Sequence, residues 1–213
     1  MQLNSEPRKL TNVMLERANL PELYWDVAFK NVPQEAKYRP MIQRYVKNII
    51  EVGGEGMGLF LWSIKNGTGK TSLAALVMRQ FLKHGASGYY CRCDELMDDV
   101  IKNKMFDEFT TVRDWVRTCD VLVLDDVGKE HKGASGYAEN LIESVIRDRV
   151  QRKRATLIST NLSPDQIPKM YSKDLADVMK EAFYIVNVLG VEGGGRYWRE
   201  DRKNKLQALM GAA

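Results

Sequence analysis

The chain has 213 residues, of which 44% are apolar and 28% charged, and its formal net charge is +4. This length fits one core with short extensions, and the composition disfavours both a disordered chain and a membrane-embedded one. No apolar run approaches the roughly 18 residues of a membrane span. The first twenty residues also lack the apolar stretch of a secretory signal. We therefore expect a cytoplasmic protein with no membrane partner.

The excess of basic residues lies in the C-terminal third, in two stretches. The first contains Arg147, Arg149, Arg152, Lys153 and Arg154. The second contains Arg196, Arg199, Arg202, Lys203 and Lys205. Such clusters fit either a nucleic-acid footprint or a solvated helix face, and charge alone leaves both interpretations open.

In chain order, the N-terminal part is predicted to be helical, with helices over 9–18 and 40–52. We expect residues 1–52 to form a short helical extension and linker. Strands are predicted over 58–63, 87–93, 121–124, 155–159 and 184–188. Between them we expect helices over 70–84, 94–102, 111–117 and 137–152, and a broken helical region up to about residue 180. This alternation indicates an α/β fold of three layers with a parallel central sheet.

A glycine-rich turn joins the first predicted strand to a long helix. Residues 64–71 read IKNGTGKT, a Walker A loop, or P-loop, in its expected context. Backbone N–H groups of such a loop curl around phosphate oxygens, Lys70 bridges the β- and γ-phosphates, and Thr71 holds Mg²⁺. The first glycine of the full pattern falls on Ile64, whose branched side chain should alter the start of the loop. We predict that ATP and Mg²⁺ bind at Asn66, Gly67, Thr68, Gly69, Lys70, Thr71 and Ser72.

Polar side chains follow two further strands. The apolar run 121–124 leads into Asp125 and Asp126, a Walker B element. We expect this strand to neighbour the P-loop strand, with Asp125 beside Mg²⁺ and Asp126 orienting or deprotonating water. The strand 155–159 leads to Asn161, which is expected to hydrogen-bond the attacking water or the γ-phosphate. Each residue alone could cap a strand or form a turn, but the P-loop favours catalytic roles for Asp126 and Asn161.

Together these segments resemble the AAA+ ATPases, and specifically the branch that contains DnaC-type helicase loaders and IstB-type transposition ATPases. The resemblance spans about residues 15–200 and rests on ERANLPELYWDVAFKNVP, NGTGKTSLAALVMRQFLKHG, SGYYCRCDEL, CDVLVLDDVGKE, VIRDRVQRKRATLISTNLS and GGGRYWRE. It implies a P-loop NTPase of the AAA+ type, with an ATPase domain over 53–200 and little or no C-terminal lid. Residues 201–213 are expected to be a basic tail.

The resemblance also implies a function. It suggests an ATP-switched homo-oligomer, a ring or spiral, that engages single-stranded DNA and a DnaB-type replicative helicase, in a protein of phage or mobile-element origin. Asn161 is identified as the sensor 1 residue. The segment with Lys102, Lys104 and Phe106 would face DNA, where cations and an aromatic ring suit phosphate neutralisation and base stacking. Phe106 could equally pack within a helix.

Two features depart from these relatives. They carry an arginine finger after sensor 1, whereas this chain has no arginine from Ala155 to Gly195. The nearby lysines Lys169, Lys173 and Lys180 lack the guanidinium fork. Because arginine fingers contribute about 10³ to 10⁵ in rate, we predict a weak or partner-dependent ATPase. The N-terminus is also short, so the helix 9–18 would have to dock the helicase.

Our expectation is therefore an ATP-binding helicase loader. Three alternatives remain: an IstB-type ATPase that polymerises on duplex DNA, a nucleotide-binding scaffold without turnover, and a nucleoside or nucleotide kinase. The kinase would need lid arginines in the stretch that lacks them. The adenine contacts are not fixed by any motif, and Trp25 and Phe29 are the candidates.

Overall fold

The computed structural model describes residues 2–103, 112–129, 136–189, 207–208 and 210. Within these ranges five parallel strands form one sheet in the order β2-β3-β4-β1-β5. The strands are β1 (Gly58–Trp62), β2 (Gly88–Arg92), β3 (Val121–Val127), β4 (Ala155–Thr160) and β5 (Phe183–Asn187). The predicted parallel α/β sheet is confirmed.

Helices cover both faces of the sheet. One face carries α1 (Asn12–Arg17), α2 (Arg39–Lys47), α3 (Ile49–Gly54) and α4 (Lys70–Lys83). The other face carries α5 (Cys93–Asn103), α6 (Val112–Thr118), α7 (Tyr137–Gln151), α8 (Ile167–Met170) and α9 (Lys173–Ala182). Val121 and Val123 belong to the core on the first face, whereas Leu122 and Leu124 belong to the core on the second. The run 121–124 is therefore entirely apolar because both faces of β3 are covered.

The strand order corrects one expectation. β4 lies between β1 and β3, so the strand that carries Asp125 does not neighbour the P-loop strand. Helix α4 packs across β4 and β3 as well as β1. Its first turn therefore reaches the end of β3 despite the intervening strand, and β4 ends between the two Walker elements.

The N-terminal segment packs on the same core as the P-loop helix. Leu15, Ile42 and Tyr45 are buried in the cluster that contains Leu73 of α4. The single helix predicted over 40–52 is wrong, because the chain leaves helical geometry at Asn48 and forms α2 and α3 instead. The side-chain amide of Asn48 donates to the carbonyl oxygen of Arg44 at 3.1 Å. This local hydrogen bond competes with continuation of the helix.

Several predictions concern residues that the described ranges do not include. The domain boundaries at residues 52 and 200 stay predictions, and most of the tail 201–213, the GGGRYWRE segment and the second basic stretch lie outside the described residues. In the ranges given above, no helix combines the length and the apolarity needed to span a bilayer.

Arg149 is completely buried although it carries a charge. Its Nε atom donates to the hydroxyl of Thr156 at 2.9 Å. Its terminal nitrogens donate, over 2.7 to 3.2 Å, to the carbonyl oxygens of Val116, Cys119, Asp120 and Ala155. Burial lowers the pKa of this guanidinium. Arg149 therefore ties α7 to the end of α6 and to the start of β3 and β4.

The first basic stretch is thus not a free cationic surface. Arg149 is internal, and each of the other four side chains pairs with a carboxylate. The pairs are Arg147 with Glu143, Arg152 with Asp148, Lys153 with Glu55 and Arg154 with Asp120. Arg149 therefore cannot contribute to a nucleic-acid footprint, and contact of the other four residues with nucleic acid stays a prediction.

Replacing Arg149 by Met should lower the free energy of unfolding by about 3 kcal/mol or more, because several buried carbonyl groups lose their donors. Arg149→Lys should also destabilise, since an ammonium offers three donors in place of five. Urea denaturation followed by circular dichroism measures both. The control is Arg152→Met, an exposed position of the same region whose effect should stay within about 0.5 kcal/mol. Wild-type stability in Arg149→Met would contradict this assignment.

Candidate nucleotide-binding site

The P-loop joins β1 to α4 at the carboxyl edge of the sheet. Gly67 and Gly69 have φ angles of 75° and 92°, which residues with a side chain rarely adopt. Gly69 caps α4, so the loop ends directly on a helix N-terminus, which attracts anions. Among the described residues, the buried hydroxyl of Thr68 finds no hydrogen-bond partner. A phosphate oxygen held by the loop would fit this orphaned donor.

The Lys70 side chain turns back into the loop. Its ammonium donates to the carbonyl oxygens of Ser63 at 3.4 Å and Lys65 at 3.2 Å, both long contacts. Burial lowers the pKa of Lys70, and the negative charge of Asp126 opposes this effect. The ammonium is therefore held only weakly by the protein and is suited to bind an anion in the cleft.

Asp125 is 4% exposed and accepts three side-chain hydrogen bonds. Its Oδ1 atom accepts from the hydroxyl of Thr71 at 2.9 Å and from that of Ser159, and its Oδ2 atom accepts from the hydroxyl of Tyr90 at 2.6 Å. Thr71 and Asp125 thus bring together two oxygen ligands of the kind that Mg²⁺ prefers, directly or through its water shell.

Tyr90 is a site residue that the sequence did not reveal. Burial, and then the neighbouring Asp125 carboxylate, raise the pKa of Tyr90, so the hydroxyl keeps its proton and donates at neutral pH. The only signal in the sequence is a tyrosine in the second strand. A tyrosine in a strand cannot be assigned to the site until β2 is known to pair with β3, which places Tyr90 opposite Val123.

Asp126 is turned away from its neighbour by a β-bulge. The pairing of β3 with β4 shifts register between Leu124 and Val127, and Asp126 has a φ angle of 59°. Its N–H donates to the hydroxyl of Ser159 at 3.3 Å, and its Oδ1 atom accepts from the ammonium of Lys129 at 2.8 Å. Bulges redirect side chains near functional sites. Both aspartates line the cleft, but the bulge leaves the Asp126 side chain 32% exposed while Asp125 stays buried.

Asn161 lies just after β4, between the two Walker elements. Its amide nitrogen donates to the side-chain oxygen of Asn66 in the P-loop at 2.7 Å. Both asparagines line the cleft with Asp126. The structure thus brings together every residue predicted to bind phosphate or Mg²⁺ or to act in catalysis, although they come from three separate segments of the chain.

These side chains share a cleft of about 1220 Å³. The N-terminal segment contributes Leu20, Leu23, Tyr24 and Trp25 to its lining, an apolar and aromatic surface suited to a nucleobase. Of the two candidates for adenine contact, Trp25 lines the cleft. Phe29 does not, and its ring lies under the guanidinium of Arg39, 5.0 Å from the ring centroid.

Of the three predicted nucleic-acid residues, only Lys102 lies within the described residues. Lys102 belongs to the last turn of α5. Lys104 and Phe106 lie outside the described residues. Their contact with DNA stays a prediction.

Comparison with known proteins identifies relatives. The family model for IstB-like ATP binding protein matches residues 44–184. The replicative helicase loader DnaC of Escherichia coli K12 is 25% identical over 167 residues, which are 77% of this chain and 67% of that protein. The loader DnaI of Bacillus subtilis is 26% identical over 153 residues, which are 67% of this chain and 48% of that protein.

The fold matches as well. A crystal structure of the DnaC helicase loader superposes with a TM-score of 0.69 at 23% identity, over 79% of this chain and 100% of that chain. The predicted P-loop fold of the AAA+ type is therefore confirmed. The matched segment 44–184 includes the P-loop, the Walker B strand and the strand before Asn161. This chain belongs to the family of IstB-like ATP-binding proteins.

Proposed function

We propose that this protein is an ATP-binding helicase loader that controls the loading of a replicative ring helicase onto single-stranded DNA. The observation that carries the proposal is the contact of Thr71 with Asp125, which joins the P-loop to the Walker B strand at a nucleotide-sized cleft. The relatives named as replicative helicase loaders suggest the task for which the nucleotide is used.

Each residue of the cleft has its own role in the proposed function. The N–H groups of the P-loop and the ammonium of Lys70 bind the phosphates. Thr71 and Asp125 hold Mg²⁺, which neutralises negative charge on the phosphates when it is bound. Asp126 orients the attacking water and accepts its proton, and Asn161 hydrogen-bonds the water or the γ-phosphate. The positions of the side chains around one cleft support these proposed roles.

We further propose that hydrolysis is weak unless partners are bound. The stretch from Ala155 to Gly195 supplies no arginine to stabilise the transition state. The site would then have to be completed or reordered by a partner. This partner is a neighbouring subunit of a ring or spiral, the DnaB-type helicase, or single-stranded DNA.

A second candidate is a transposition ATPase that polymerises on duplex DNA. The match to the IstB-like family model favours it. The two proposals differ in the nucleic acid that they require, which makes them separable.

Titration with single-stranded and duplex DNA in the presence of ATP distinguishes the two candidates. We expect tighter binding to single-stranded DNA, and ATP-dependent co-purification with a DnaB-type helicase in a pull-down. Filaments that form on duplex DNA only, with no helicase retained, would favour the transposition ATPase.

Lys70→Ala should weaken ATP binding about tenfold or more, because it removes a charge-assisted hydrogen bond to the phosphates. Isothermal titration calorimetry measures the affinity, and circular dichroism checks the fold. The matched control is Lys83→Ala at the opposite end of α4, which should leave the affinity unchanged. Equal affinities in wild type and Lys70→Ala would rule out this nucleotide site.

Asp126→Asn tests the proposed base, because asparagine tolerates the left-handed backbone of this position and keeps the side-chain shape. ATP should still bind, while hydrolysis in the presence of helicase and DNA should fall about 100-fold. Phosphate release measures the rate. An unchanged rate would exclude Asp126 as the base, and a wild type without turnover under these conditions would favour the scaffold.

A further inference from the structure

We propose that Lys129 is a second phosphate-binding cation of the cleft, which recognises the terminal phosphate of ATP and so distinguishes ATP from ADP. The inference rests on the proposed nucleotide binding. Lys129 follows the Walker B strand by two residues and lines the same cleft as Lys70 and Asn161. Its ammonium lies 2.8 Å from Oδ1 of Asp126, at the side of the cleft where the terminal phosphate is expected.

The backbone of Lys129 is held in place by a tight turn. Gly128 has a φ angle of 92°, and a Cβ atom at this position would lie 2.6 Å from Cδ1 of Leu162. The N–H of Lys129 donates to the carbonyl oxygen of Asp126 at 3.1 Å. The turn therefore packs against the residue that follows Asn161, and it fixes the start of the lysine side chain beside the proposed sensor.

Two ammonium groups of the cleft are available to a phosphate. Lys70 and Lys129 are balanced by Asp125 and Asp126, whereas the whole cleft lining, which also includes Arg92, Glu16, Glu22 and Glu95, has three cations and five carboxylates. Both ammonium groups line the same cleft and carry like charge, so they repel each other. A terminal phosphate placed between them would bring the negative charge that relieves this repulsion.

The side chain of Lys129 is free to change partners. The Lys129 and Asp126 side chains are 49% and 32% exposed, and ion pairs with such exposure contribute little free energy. A phosphate at a helix N-terminus carries more charge than one carboxylate and can compete for the ammonium. Once Lys129 contacts the phosphate, Oδ1 of Asp126 can accept a hydrogen bond from water. With ADP the pair between Lys129 and Asp126 stays intact.

Binding measurements with Mg²⁺, ADP and a non-hydrolysable ATP analogue test this inference without any need for turnover. Lys129→Met should weaken the ATP analogue about tenfold and ADP less than about twofold. Lys129→Arg keeps the charge and should retain most of the preference for ATP. The control Lys180→Met breaks another aspartate–lysine pair with the same spacing, 2.9 Å long and remote from the cleft, and should change neither affinity.

A double substitution separates direct contact from charge screening, because Lys129→Met also leaves Asp126 unpaired. In the Asp126→Asn background, Lys129→Met should still weaken the ATP analogue about tenfold. If the loss disappears in this background, Lys129 acts only by screening Asp126, and the proposal is overturned. Equal effects on ATP and ADP would overturn it as well. A wild type that binds neither nucleotide would instead refute the proposed function itself.

Discussion

The candidate site depends on the hydrogen bonds that the buried carboxylate of Asp125 accepts. This carboxylate accepts hydrogen bonds from Thr71 on α4, Ser159 on β4 and Tyr90 on β2, so three elements that are distant in sequence meet at one buried group. A buried carboxylate is tolerated only when such donors surround it. The same donors fix the orientation of the oxygen atom that would face Mg²⁺, which links the stability of this edge of the sheet to its ability to bind a nucleotide.

The next residue has the same chemistry and a different environment. The bulge in β3 turns Asp126 out of the sheet, where it pairs with Lys129 and faces the cleft. Ser159 connects the two aspartates, because its hydroxyl donates to Asp125 and accepts from the N–H of Asp126. Two adjacent carboxylates therefore have different environments, which under the proposed function suit one to a structural and metal-binding role and the other to accepting a hydrogen bond from water.

The structural roles of Arg149 and Tyr90 could not be predicted from the sequence. In the sequence Arg149 is one of five basic residues in a short stretch, and charge patterning cannot distinguish an exposed cation from a buried one. The backbone carbonyls that surround it come from α6, from the residue before β3 and from β4, so its partners are defined only by the tertiary packing. The role of Tyr90 likewise depends on the pairing of β2 with β3, which brings its hydroxyl to Asp125.

The parallel α/β sheet, the P-loop, both aspartates and Asn161 could be predicted from the sequence alone. These features depend on local chemistry: an all-apolar strand, glycines before a helix, and polar residues directly after strands. The tertiary structure was needed to establish that β4 separates β1 from β3, that a bulge turns Asp126 out of the sheet whereas Asp125 stays buried, and that the N-terminal segment contributes to the lining of the cleft. These properties arise from contacts between segments far apart in the chain, and residue type and spacing along one segment carry no information about them.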